Sequence, residues 1–271
     1  MSATLRVTIL GCGSSPGVPR IGNDWGACDP SNPKNRRLRC SILMEQIATD
    51  GGVTRVLVDT GPDIRQQLLA AGVNTLDGVV YTHSHADHTH GIDDLRSIWL
   101  NTHHRLVDVY ADTATLTRLN EAFGYCFATA PGGSYPPILK AHTISAATPF
   151  AIDGEGGAIT ITPFRQIHGD IDTLGLRIGA LAYSCDVSGL PDESLPALAG
   201  LDVWIVDALR YTPHPSHFSL REALEWIQRL KPRRAVLTHM HIDLDYTTVH
   251  AEVPANIEPA YDGMTIEGPI A

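Results

Sequence analysis

Apolar positions fall along this chain in short runs, each ending at a turn or at a cluster of polar residues. Residues 5–10 predict a first strand that runs into Gly11-Cys12-Gly13-Ser14-Ser15-Pro16-Gly17, where glycine and proline force a tight loop. Residues 20–39 are polar, rich in Pro, Asn and Arg, and predict irregular chain. Two strands follow at 40–47 and 55–59, joined by a turn at Asp50-Gly51-Gly52. Residues 62–71 fit a helix, with Pro62 near its first turn and Gly72 beyond its end. Residues 78–81 read as a short buried strand, 107–110 as another, and 113–123 as a helix. The Gly/Pro-rich stretch 128–137 is an insertion, a lid or a loop. In the second half, strands are expected near 158–163, 173–178, 182–185, 202–207 and 234–238. Residues 219–230 form an amphipathic helix in which Ser219 as N-cap and Glu222 three residues on make a capping box.

Strands with helices in each half, and no linker between the halves, imply an α/β fold. The expected architecture is an αββα four-layer sandwich, two facing mixed sheets with outer helices, in one domain spanning 1–271. Several apolar strands end in residues that bind metals: Asp59, His83, Asp186, Asp207 and His239. Strand ends that face one cleft can converge on a site.

Composition narrows the class. Hydrophobic residues at 43% and charged residues at 18% describe a globular chain with material for a large core. No apolar run approaches the ~20 residues needed to span a bilayer, and the N-terminus lacks the features of a signal peptide. These features predict a cytoplasmic protein with no membrane partner. Five scattered cysteines without a CxxC pair argue against a disulfide framework. The formal charge of −10 argues against coating long nucleic acid. It leaves room for a small phosphate ester, because bound dications reverse the local field. The 13 histidines, several in tight groups, are the most informative feature.

The strongest motif is His83-Ser84-His85-Ala86-Asp87-His88, which follows the strand at 78–81. In extended chain His83 and His85 point the same way, whereas the adjacent Asp87 and His88 diverge and can serve a second centre. Three imidazoles and a carboxylate suit a borderline divalent metal, and two ions fit this donor set better than one.

HxHxDH after a short strand resembles the metallo-β-lactamase superfamily. The resemblance implies a later lone histidine, a bridging aspartate and a C-terminal histidine, and His168, Asp186 and His239 match these in order and context. It implies one ion on His83, His85, His168 and Asp186, and another on Asp87, His88, Asp186 and His239. Asp59 resembles the buried aspartate that supports the histidine loop. A closer likeness, over nearly the whole chain, is to the phosphoribosyl 1,2-cyclic phosphate phosphodiesterases of the carbon–phosphorus lyase pathway. It rests on the segments Gly11–Pro19, Arg36-Arg37-Leu38-Arg39-Cys40-Ser41, Ser216-His217-Phe218-Ser219-Leu220 and Tyr261-Asp262-Gly263-Met264. Those enzymes also carry a structural zinc on three cysteines and a histidine. Here only Cys28 stands in the matching loop, and no separate structural zinc is expected.

The resemblance implies a dinuclear, metal-dependent phosphodiesterase, with manganese or zinc, that hydrolyses a small cyclic phosphate of a phosphorylated ribose or a nucleotide. A hydroxide on the metals attacks phosphorus, and His217 is the candidate acid for the leaving group. The catalytic assignments are His217 and Asp87. Arg36, Arg37 and Ser15 are the substrate-binding candidates, with the amides of 13–17 as a phosphate cradle. Trp25 and Tyr211 are stacking candidates for which core packing is the better expectation. His241 either points away from the ligand direction of His239 or caps the cleft. A homodimer is an open expectation. The alternatives are an RNA-processing nuclease similar to the transfer-RNA 3′-end endonucleases, or a non-catalytic binding protein of a cofactor-biosynthesis pathway.

Overall fold

The computed structural model describes residues 3–269, so Met1, Ser2, Ile270 and Ala271 of the expected 1–271 span lie outside it. One seven-stranded sheet is built from β1 (Thr4–Gly11), β2 (Ser41–Ile47), β3 (Val53–Val58), β4 (Gly78–Val80), β5 (Val107–Ala111) and β6 (Leu139–Thr143). The other contains β7 (Phe150–Ile152), β8 (Ile159–His168), β9 (Ile171–Ile178), β10 (Leu181–Ser184), β11 (Val203–Asp207), β12 (Arg234–Thr238) and β13 (Ile257–Pro259). The last strand, β14 (Thr265–Pro269), returns to the first sheet beside β1. Both sheets are mixed. In the first, β14, β1, β2 and β3 pair antiparallel, and β3 to β6 pair parallel. In the second, β10 to β13 pair parallel, and β7 to β10 antiparallel. The helices are α1 (Ile64–Ala70), α2 (Ala86–Thr89), α3 (Leu95–Asn101), α4 (Thr113–Phe127), α5 (Leu220–Leu230) and α6 (Tyr246–Glu252). The architecture is the αββα sandwich expected from the sequence.

The period-2 geometry of strands explains why the buried runs look uniformly apolar. On β2 and β3, Ile42, Met44, Val56 and Val58 join the core between the sheets. Leu43 and Leu57 point to the other face and pack with Ile64, Leu68, Leu95 and Leu116 of the outer helices. The inner core is closed from the opposite sheet by Leu174, Leu176, Tyr183 and Ile205, which share one face of it. On the outer face of that sheet, α5 contributes Leu220, Ala223 and Ile227, and its capping box forms as read from Ser219 and Glu222.

Several elements differ from expectation. The helix expected at 113–123 continues to Phe127, with a break at Phe123. The sequence reading has no counterpart of strands β6, β7, β13 and β14 or of helices α2, α3 and α6, and Ala86–Thr89, read as extended chain, is helical. No helix among the described residues is long and apolar enough to cross a membrane. All five cysteines are free and buried.

Candidate metal centre

Strand ends deliver the site. Asp59 follows β3, Asp186 lies just past β10, and His239 follows β12. All three take a left-handed backbone, with φ of 64°, 46° and 58°. This conformation costs a non-glycine residue roughly 1–3 kcal/mol and persists only where packing enforces it. Here it turns each side chain out of its sheet as the strand ends. The His83–His88 stretch is held from below by the turn after β3. The Thr60 N–H donates to the His88 carbonyl at 2.7 Å, and the Gly91 N–H donates to Thr60 at 2.8 Å. Only glycine fits at 61, because a Cβ there would sit 2.2 Å from the Asp87 carbonyl oxygen.

Two donor clusters share one carboxylate. His83, His85, His168 and Asp186 each place a donor atom within 4.8 Å of the others. Asp186 Oδ2 lies 3.6 Å from both His83 Nε2 and His168 Nε2, and His168 Nε2 lies 3.3 Å from His85 Nδ1. On the other side, Asp186 Oδ1 lies 3.2 Å from His88 Nε2 and 3.3 Å from His239 Nε2. Asp87 Oδ2 completes that side, 3.5 Å from His88 Nε2 and 3.9 Å from His239 Nε2. The Nε2 atoms of His83, His88 and His239 are buried with no hydrogen-bond partner. Buried polar atoms without partners are costly, and three imidazole nitrogens converging on shared carboxylates fit a divalent metal. All seven ligand candidates from the sequence are therefore brought together.

The rings are oriented from behind. Asp59, fully buried, accepts from the Thr82 hydroxyl and from His88 Nδ1, each at 2.8 Å. Thr82 Oγ1 also lies 3.0 Å from His83 Nδ1, so one carboxylate steers both histidines. His168 Nδ1 is held by the Ser216 carbonyl. Electrostatics follow the same plan. Burial works against charge on Asp186, yet His239 and His88 hold its carboxyl well below the usual range. Burial pushes the His83 ring down, helped by His88, and so favours its neutral ligand form.

His217 lies 7% exposed beside these clusters. Its ring stacks on His239 at 4.5 Å and meets His168 edge-on at 4.6 Å. Its Nδ1 contacts Asp207 Oδ2 at 2.7 Å, and its Nε2 lies 4.0 Å from Asp186 Oδ2. The sequence flagged Asp207 only as one of the metal-binding residue types at the ends of apolar strands. Its pairing with His217 needs the tertiary fold, which brings β11 beside the segment before α5.

The substrate-binding candidates fare differently. The structure corrects Arg37. Its guanidinium is 1% exposed and donates to the carbonyls of Leu244 (2.7 Å) and His241 (3.3 Å), so it braces two loops and has no face for a ligand. Arg36 is exposed and stacks over Trp25 at 5.2 Å. Arg39 is paired with Asp63 at 3.0 Å. The cradle of 13–17 is also corrected, since the N–H groups of Gly13, Ser14 and Gly17 donate to Leu38, Met240 and Ser14 carbonyls. Ser15 lies exposed at the tip of that turn. Trp25 packs on a small cluster with Val18, Cys28 and Ile242, as expected, whereas Tyr211 is 43% exposed.

Residues 54–240 match the family described as a beta-lactamase superfamily domain. A solved structure described as a new diphosphatase from the PhnP family is 35% identical, covers 100% of this chain and 99% of its own, and superposes with a TM-score of 0.88. A ribonuclease Z of Mycobacterium sp. (strain KMS) is 26% identical over 87% of this chain and 84% of its own length. An octanoyltransferase of Porphyromonas gingivalis is 35% identical over 96% of this chain, but the chain spans only 51% of that relative.

Proposed function

The chain belongs to the beta-lactamase superfamily, and from this membership we propose a dinuclear metal-dependent phosphodiesterase acting on a small cyclic phosphate ester. Manganese and zinc both suit the mixed imidazole and carboxylate donors. The observation that carries the reading is His217, an imidazole fixed by Asp207 and set 4.0 Å from the carboxylate shared by both donor clusters. A hydrolase with a poor alkoxide leaving group needs a proton donor at that position. The relatives support phosphate chemistry, since one is named a diphosphatase and another a ribonuclease.

When bound, the two ions supply Lewis acidity, acidifying a water and neutralising charge on phosphoryl oxygens. The chain's own residues do the rest. Asp186 spans the two clusters and fixes their separation. Asp59 and Thr82 hold the His88 and His83 rings so that each presents Nε2 to the centre. Asp87, 13% exposed, is a carboxylate on the solvent side and orients the attacking water. Asp207 accepts from His217 Nδ1–H, fixes the orientation of the ring, and leaves Nε2 to hand a proton to the leaving oxygen.

The full-length likeness to a diphosphatase supports a second reading, cleavage of a P–O–P bond in a small diphosphate. The same donors serve it, because attack is again at phosphorus. The net charge of −10 stands against a long RNA substrate.

The test is hydrolysis by purified protein reloaded with manganese or zinc, with Asp186→Ala as control. The panel holds bis-p-nitrophenyl phosphate, 2′,3′-cyclic nucleotides, ribose 1,2-cyclic phosphate, a dinucleoside diphosphate and a transfer-RNA precursor. Metal-dependent turnover of a cyclic phosphate, lost in the control, is expected. Turnover of the diphosphate alone selects the second reading, and turnover of the RNA alone overturns both.

A further inference from the structure

The hairpin of β8 and β9 does more than deliver His168. β10 pairs with β9 only as far as Leu176, opposite Tyr183, and beyond that point this edge of β9 is open. The loop that carries the histidine motif takes the edge. The Leu174 N–H donates to the Thr82 carbonyl at 3.0 Å, so the second sheet is bonded to the chain that leaves β4 of the first. Thr82 is the residue before His83, and its hydroxyl lies 3.0 Å from His83 Nδ1.

The same hairpin grips the turn that holds Asp186. Gln166 and Thr173 are partners in register across it, and both are buried. Gln166 Nε2 donates to the Cys185 carbonyl at 3.0 Å and to the Thr173 hydroxyl at 3.2 Å, and that hydroxyl donates to the Asp186 carbonyl at 2.9 Å. Past Asp186, the N–H groups of Ser188 and Gly189 donate to the Ile167 carbonyl at 2.7 Å and 3.2 Å, and the Ile167 N–H donates to the Gly189 carbonyl at 2.9 Å. Asp186 is thus clamped on both sides of its left-handed backbone, a conformation that persists only where the surroundings enforce it. Position 175 makes room for the clamp, since a Cβ on Gly175 would sit 2.5 Å from Gln166 Oε1. Three of the four donors of one cluster, His83, His168 and Asp186, are therefore set by this one hairpin. In the other cluster only Asp186 is, because His88 is held by Asp59 and His239 follows β12.

We propose that Thr173 is a positioning residue for the ion on the His83 side, its hydroxyl closing the chain from Gln166 to Asp186 that fixes His168 and Asp186 relative to the His83 loop. It acts through the backbone of Asp186 rather than on a donor atom. Without the hydroxyl, the buried Asp186 carbonyl loses its donor, and the turn loses one of the bonds that hold it in the left-handed conformation. The effect falls on one ion of the two. This rests on the two-cluster centre above and deepens it.

Zinc affinity, measured by chelator competition in two backgrounds that each keep one cluster, tests the role. His239→Ala keeps the His83 cluster, and His85→Ala keeps the His88 cluster. Adding Thr173→Val is expected to weaken zinc binding by about tenfold or more in the first background, the scale of losing a residue that supports a ligand, and by much less in the second. Thr173→Ser, which restores the hydroxyl, is expected to match the parent in both. Thermal melts of the metal-free proteins show whether Thr173→Val folds. Should it not, Gln166→Met, which removes the donor to Cys185 and keeps the Thr173 hydroxyl, is expected to give the same asymmetry. Equal losses in the two backgrounds, no loss in either, or a loss that Thr173→Ser shares overturns the positioning role. A background that binds no zinc contradicts the two-cluster centre itself, and the role of Thr173 falls with it. No substrate enters the measurement, so its outcome is independent of which ester is cleaved.

Discussion

The two halves of the candidate centre are built by different means. In one half, His83, His85, Asp87 and His88 come from six consecutive residues and are placed by one turn entering α2. In the other, His168, Asp186 and His239 come from the ends of three strands in the second sheet. The first half is local geometry braced by Asp59. The second depends on sheet register, on left-handed residues at Asp186 and His239, and on Ser216 holding His168. The dispersed half holds the single carboxylate on which both clusters depend.

The largest break in this contrast is Asp186→Ala. It removes the one group common to both clusters, and hydrolysis is expected to fall by about a thousandfold or more, the scale of several kcal/mol of charge stabilisation. Turnover assays on metal-reloaded protein check it, and activity near wild type would show that the clusters do not depend on a shared carboxylate. Next is His217→Ala. Metal content should be retained, while kcat for an alkoxide leaving group drops about 10²–10⁴-fold. The drop with p-nitrophenolate, which leaves without a proton, should be much smaller, and equal losses for both leaving groups would remove His217 from the acid role. Asp59→Ala probes the local half alone. Metal affinity is expected to fall roughly 10–100-fold, measured by chelator competition, because the His88 ring loses its anchor.

The smallest expected effect on activity lies outside both halves. Asp262 accepts from the N–H groups of Leu38 (2.7 Å) and Cys12 (3.1 Å), and burial pushes its carboxyl up to about 7. A carboxyl with a folded pKa above its unfolded value of about 3.9 binds its proton more tightly in the fold. Its contribution to stability is therefore full below about pH 4 and lost as pH rises through about 7. Thermal melts between pH 4 and 7.5 should show this decline, and Asp262→Asn should flatten it with turnover little changed.

The same contrast governs what the sequence discloses. The His83–His88 motif is dense enough to be read from residue types alone. His168 is a single histidine between glutamine-isoleucine and glycine, and nothing near it in sequence shows the Ser216 carbonyl that orients it. The long apolar strands and α5 were legible because burial on one or both faces leaves a clear pattern. The unanticipated strands are short or carry little apolar surface. β7 and β13 have three residues each, and in β6 only Leu139 is fully buried. The helix α6 combines two threonines and a valine, which favour helix weakly, and is held by the Asp245 cap to Thr248 and by packing of Tyr246 and Val249. The arginine loop misled for a related reason. Composition shows that Arg36, Arg37 and Arg39 are charged, but only the fold shows that Arg37 is consumed by the carbonyls of Leu244 and His241.

The most direct test of the centre is metal equivalents per chain, measured by elemental analysis on protein loaded with zinc and freed of excess. The wild type is expected to hold two. His85→Ala, which breaks only the His83 cluster, and His239→Ala, which breaks only the His88 cluster, are each expected to hold one. A wild type that holds a single equivalent, or variants that both keep two, would contradict a centre of two clusters sharing Asp186.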